Sequence, residues 1–206
     1  MNQGIANILK GYIEYLSFVD KIAGLVSTQY MTMTDETGEK VTKSYPVACC
    51  VTAEDCKEGA YNDLTPDSKY KTVIYFEDGG ISFVSAKGNF KYYKSRLRLV
   101  CWINVAKLNE DGCYTDIPCT ASTNIIIEII RAIPYFPANF PPLMQVRFEV
   151  VDQVIRSNSI FSKYTYNEKQ VQYLMSPYDY FALDIDIDFA ICIEGTDEYD
   201  PLCPRS

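Results

Sequence analysis

The stretch "ALDIDIDFAICIE", residues 182–194, alternates strictly between apolar and polar side chains. Leu183, Ile185, Ile187, Phe189, Ile191 and Ile193 occupy one set of positions, and Asp184, Asp186, Asp188 and Glu194 the other. Successive side chains of a β-strand point to opposite faces, so the segment is expected to be a half-buried strand with its Ile/Leu/Phe side against a core. Its other side aligns three carboxylates about 7 Å apart. Three like charges in a row need an explanation.

A bound metal is a poor one. Carboxylates at i, i+2 and i+4 of a straight strand do not converge on a cation that needs oxygens within about 2.3–2.6 Å, and no calcium-type loop follows. A paired-carboxylate enzyme needs two acids facing each other across a cleft, not side by side on one strand. Two readings stay open. "NFKYYKSRLRLVCWINVAKL" (89–108) has the same period, with Tyr93, Leu97, Leu99, Cys101, Ile103 and Val105 on one face and Lys94, Arg96 and Arg98 on the other. If the two strands are neighbours, the basic row matches the acidic one and fixes the register. Otherwise the aspartates form an acidic surface facing a channel or a partner.

Outward from these strands, residues 4–26 carry apolar positions Ile5, Ile8, Leu9, Tyr12, Ile13, Leu16 and Val19 at helical spacing, which predicts an amphipathic helix. "STQYMTMT" and "EKVTKSYPVACCVTA" read as a hairpin joined at "DETG". A second hairpin is expected where "KYKTVIYFE" passes through Asp78-Gly79-Gly80 into "ISFVSAKG". Residues 120–133 read as a helix capped by Ser122 or Thr123 and stopped by Pro134. "PYFPANFPP" (134–142) holds four prolines in nine residues and reads as a stiff, irregular loop. "LMQVRFEVVDQVI" reads as a strand, or a strand with a break, and 156–181 as a polar, tyrosine-rich loop with a short helical turn. The expected fold is α+β: one domain over 1–206, an antiparallel sheet with two main helices packed on one face, and long Tyr/Pro-rich loops. Loop excursions fall at 54–69, 107–119, 134–142 and 156–181, with a short tail at 195–206.

Bulk composition narrows the function. The 206 residues have a net charge of −8, so the whole-molecule field repels nucleic acid. Histidine is absent, which removes the Ser-His-Asp and Cys-His nucleophile systems and His-ligated zinc. No nucleophile elbow, phosphate loop or dinucleotide fingerprint is present, and Gly79, Gly80 and Gly88 are better explained as turns. Eight cysteines include the adjacent Cys49 and Cys50 but no C-x-x-C, and Cys101 and Cys192, within apolar strand patterns, are expected to behave as small hydrophobes. No apolar run approaches the roughly 20 residues needed to span a bilayer. Lys10, Glu14, Asp20 and Lys21 interrupt the N-terminal apolar pattern, so it does not read as a signal peptide and the chain is expected to stay in the cell that makes it. A non-catalytic protein without cofactor or metal is the expectation.

The order of elements, an amphipathic helix, hairpin strands and a closing strand after a Tyr/Pro segment, resembles the tail-terminator and neck (head–tail joining) ring proteins of tailed bacteriophages. The letters that carry the likeness are "IFSKYTYNEKQVQYLMSPYDYFALDIDIDF" (160–189), similar to the C-terminal stretch of such proteins in phages of Bacteroides-type hosts. The resemblance implies a virion structural protein, assembled in the host cytoplasm as a ring of six or twelve copies. Such a ring joins the portal or adaptor to the tail around the DNA exit channel, with no membrane partner and no specific DNA binding. An acidic protein fits a conduit along which a polyanion slides. Stiff aromatic loops fit subunit contacts, and Tyr135, Phe136, Phe140, Tyr164, Tyr166, Tyr178 and Tyr180 are the candidates, although for any one loop aromatic local packing is the commoner explanation. A second class is a small-molecule or carbohydrate-binding module using Trp102 and the loop tyrosines as stacking platforms.

Overall fold

The computed structural model describes residues 1–34, 38–48, 64–110, 118–135, 138–140, 143–151, 154–165 and 172–192. Helix α1 (Asn2–Ile13) leads into β1 (Lys21–Thr34), β2 (Lys40–Ala48), β3 (Thr72–Lys87) and β4 (Phe90–Asn104). Then come α2 (Val105–Glu110), α3 (Pro118–Ala132), β5 (Ala138–Phe140), β6 (Leu143–Val150), a 3₁₀ turn (Asn158–Phe161) and β7 (Tyr178–Cys192). The strands form one seven-stranded sheet in the order β2-β1-β3-β4-β7-β6-β5. The fold is α+β, but the sheet is mixed rather than purely antiparallel, because β1 runs parallel to β3.

Residues 182–192 lie within β7, an interior strand between β4 and β6. Leu183, Ile185, Ile187 and Phe189 are buried, as the alternation requires. They join Leu97, Leu99 and Cys101 of β4, Ile74 and Phe76 of β3, and Val146 and Phe148 of β6 in one hydrophobic cluster. The same cluster contains Ile5, Leu9 and Ile13 of α1 and Ile125, Ile129 and Ile133 at α3, so the apolar stripes of both helices are spent on it. A second cluster is built from strand positions of the other parity: Val73, Tyr75, Val100, Trp102 and Ala182 with Leu64, Ile160, Phe161 and Tyr164. Near these residues the sheet is therefore buried on both faces.

Several expected boundaries move. The N-terminal helix stops at Ile13 rather than 26, and the chain turns into β1 at Lys21. Leu16, Val19, Ile22 and Leu25 still pack on the main cluster, which is why the apolar spacing outlasts the helix. The first hairpin forms, with Thr34 opposite Lys40. The second does not turn at Asp78-Gly79-Gly80: β3 runs on to Lys87, with register shifts between Asp78 and Ile81 and between Phe83 and Ser85, the first marking a bulge. Gly80, at φ +94°, takes the left-handed conformation the bulge requires, and Asp78 Oδ1 accepts from its N–H at 2.7 Å. The turn comes at Gly88, whose φ is +56°.

The expected loop at 107–119 begins inside α2, whose Lys107 N–H is capped by Asn104 Oδ1 at 3.1 Å. Because α3 starts at Pro118, Ser122 lies inside the helix, fully buried, and is not its cap. Within 134–142, Ala138–Phe140 pairs with β6 as an edge strand. Residues 178–181 of the expected last loop already belong to β7. Most of the loop at 54–69 and all of the tail at 195–206 lie outside the described residues. Cys101 is a free, buried thiol whose burial pushes its pKa up, as expected of a small hydrophobe. Cys192 departs from that expectation: at the half-buried end of β7 it is disulfide-bonded.

Candidate functional site

Two surfaces stand out on this scaffold. The first is the polar side of β4, β7 and their neighbours. The register sets Lys94 opposite Asp188, Arg96 opposite Asp186 and Arg98 opposite Asp184, so the basic and acidic rows do face each other. Arg98 grips Asp184 through two hydrogen bonds, Nε to Oδ1 at 2.7 Å and an NH2 nitrogen to Oδ2 at 3.1 Å. Arg96 holds Asp186 the same way, at 2.6 and 3.0 Å, and Lys94 Nζ adds a diagonal contact to Asp186 at 3.4 Å. The Arg96 guanidinium, hydrogen-bonded to Asp186, keeps that carboxyl below its usual range against the opposing effect of burial. The arginines are shifted the other way, held protonated by the aspartates that they donate to.

The ladder extends to both sides. Glu77 of β3 stands opposite Arg98; it is buried, accepts from the Tyr164 hydroxyl at 2.7 Å and pairs with Lys163 at 2.7 Å. On β6, Glu149 faces Asp186 and Arg147 faces Asp188. Asp188 is exposed and makes no ion pair within 4 Å among the described residues. Two shallow hollows open along this side. One of ≈ 490 Å³ is lined by Ser85, Tyr92, Gln145, Arg147 and Asp188, and one of ≈ 300 Å³ by Glu77, Gly79, Arg96, Arg98 and Lys163. Lys94, Arg96, Arg98, Arg147 and Lys163 balance Glu77, Asp184, Asp186, Asp188 and Glu149, so this face is close to neutral and the surplus of the −8 chain lies elsewhere. Among the described residues no group of three or more acidic or cysteine side chains is placed to hold a metal.

The second surface is the far half of β3. Its first six residues, Thr72 to Glu77, are buried and the next ten, Asp78 to Lys87, are exposed. A polar knot marks the boundary. Asn2, at the start of α1, donates from Nδ2 to Asp78 Oδ1 at 2.7 Å, and the Ser95 hydroxyl bonds to Asn2 Oδ1 at 2.8 Å and Gly80 O at 3.1 Å. Gly79 fits there because a Cβ would lie 2.8 Å from the Arg96 carbonyl oxygen. Beyond the knot, Ile81 is 47% exposed and Phe83 and Val84 each 59%. Phe83 rests edge-on against Tyr93, which stacks on the buried Phe189. The pairing of β1 with β3 ends at Leu25 and Phe76, so among the described residues no strand pairs with residues 81–87 on the side away from β4.

The expected contact aromatics are mostly turned into the molecule. Tyr164 is buried on Glu77, Tyr178 stacks on Trp102 at 5.3 Å, and Tyr180 meets Phe161 edge-on. Phe140 leans on Phe148 from the edge strand. Phe140, Tyr178 and Tyr180 are half-buried strand residues packed against the two clusters. Tyr135 is exposed, while Phe136 and Tyr166 lie outside the described residues. Trp102 is buried and its indole N–H donates to the Tyr173 carbonyl at 2.7 Å, so its ring is occupied within the fold. Missed in the sequence were Ile81, Phe83 and Val84 as a contact surface; the signal was three large apolar residues in the four positions after Gly80, with the alternation broken at Phe83-Val84, where the register shifts. Comparison with known proteins yields no matching family model, no matching curated protein and no matching solved structure.

Proposed function

We propose that this protein is a structural assembly subunit, in its most specific form a ring-forming component of the head–tail connector or tail-terminator layer of a tailed phage virion. The observation that carries the reading is the β3–β4 arm, where a long strand leaves the core and presents Ile81, Phe83 and Val84 to solvent. Exposed apolar side chains on an open strand edge mark a protein contact surface. The ladder supports the same reading from the other direction. Its carboxylates and cations are matched against one another, the opposite of a site in which environments push two acids apart for proton transfer. Both helices are read as covering the Leu97 face of the sheet, leaving the ladder and the arm as the surfaces offered to neighbours. Repulsion of DNA passing through a ring comes from the acidic surplus off the ladder rather than from Asp184 and Asp186.

The test is the mass of the purified full chain, alone and mixed with the portal and tail proteins of the particle it belongs to, with the symmetry of any ring counted by electron microscopy. A closed ring in the six- or twelve-copy range supports the reading. A chain that stays single and ignores both partners sinks it.

A further inference from the structure

We propose that the partner of the β3 arm is a second copy of this chain, whose residues 78–87 pair antiparallel with the same residues of the first. Residues 79–86, "GGISFVSA", contain no charge and no proline, two of the devices by which exposed edges are protected from pairing. The strand is already hydrogen-bonded to β4 on its inner side, with a second register shift between Phe83 and Ser85, and its outer side is left for another strand. The other edges fit worse. The Ser44 carbonyl in the middle of β2 is taken by the Thr165 N–H at 2.9 Å, and β5 is three residues long.

The ends of the arm select the partner and its direction. Asp78 closes one end and Lys87 the other, both exposed. Antiparallel pairing of two copies sets Asp78 against the second copy's Lys87 at both ends and Ile81 against its Val84 between them. Parallel pairing sets like charges together at both ends. A contact related by a two-fold axis follows, burying the apolar side chains that each copy alone exposes. The inference rests on the assembly reading in taking the arm as a contact surface, and goes beyond it in naming the occupant.

The experiment is sedimentation velocity and light scattering on the full chain over a hundredfold concentration range, with the Ile81→Lys/Phe83→Lys double variant and Lys87→Asp alongside. Circular dichroism and thermal unfolding of each variant establish that it folds. The expected result is a two-copy species, or an even multiple of it, that the double variant halves without loss of melting temperature. Lys87→Asp, which places acid against acid at both ends, is expected to weaken association roughly tenfold, since two ion pairs of up to about 1 kcal/mol each are lost. A wild-type ring whose mass is unchanged in the folded double variant overturns this inference and leaves the assembly reading standing. A pair that splits in the variant, with no larger ring at any concentration, supports the inference and removes the ring. A chain that is single throughout overturns both.

Discussion

The two halves of β3 belong to one strand, share β4 as a neighbour and differ in nearly everything else. From Thr72 to Phe76 the strand is buried on both faces, Ile74 and Phe76 in one cluster and Val73 and Tyr75 in the other. From Gly79 to Lys87 it is exposed, although Ile81, Phe83 and Val84 are as apolar as the residues before them. The outer half is the more polar, with Asp78, two glycines, two serines and Lys87, but its large apolar residues differ from those of the inner half in what covers them. The first half has β1 beside it, the segment at 160–164 over its second cluster and α1 within its first, while α1 begins at Asn2, level with the bulge. Burial of the first half stabilises the fold, and exposure of the second leaves free energy available for association.

Paired substitutions test that contrast most strongly. Phe76→Ala is expected to lower the unfolding free energy by about 3–5 kcal/mol in urea titrations, because it removes a fully buried ring and leaves a cavity. A loss under about 1 kcal/mol means that the first half is not the core element described. The boundary comes next. Asn2→Ala strips the Asp78 carboxylate and the buried Ser95 hydroxyl of a partner and is expected to cost about 1–2 kcal/mol, measured the same way. An unaffected variant would show that the bulge holds without the helix.

The ladder contributes less. Arg98→Met should cost about 1 kcal/mol, a figure already discounted for the solvent that reaches the guanidinium, and most of it should vanish when Asp184→Asn is added. Additive losses would mean the two side chains do not interact. Acid titration addresses the neighbouring rung. Asp186 has a folded-state pKa below its unfolded value of about 3.9, so its contribution is complete above that value and lost as the pH falls through the folded one. The melting temperature should therefore decline below about pH 4, and Asp186→Asn should flatten that decline. Smallest of all, Phe83→Ala should change the unfolding free energy by no more than about 0.5 kcal/mol, despite deleting a ring as large as that of Phe76.

The ladder was legible in the sequence only as one of two open readings: both rows have period two and opposite charges, which allows the pairing, but an acidic face toward a channel or partner fitted the same letters. The core side of β7 was legible from the same period of two. The Asp78-Gly79-Gly80 segment was misread because Asp-Gly signals a change of backbone direction without saying whether the chain reverses or merely bulges, and the Arg96 carbonyl that leaves no room for a Cβ at Gly79 lies seventeen residues on. Tyr164, Tyr178 and Tyr180 were misplaced on contact loops because a tyrosine in a polar segment has the same local signature whether its ring meets another chain or, as here, its own core. The parallel β1–β3 pairing left no local trace, since the hairpin between them and the connection to β3 carry no sign of which edge they return to.

The most direct test is hydrogen exchange along β3, read amide by amide at low and high protein concentration. The account predicts that the amides of Val73 to Phe76 are protected at both, and that the outward-facing amides among residues 81–87 exchange freely when dilute and become protected as concentration rises. Outward amides that exchange equally fast at every concentration, in the presence of a stable assembly, would contradict it.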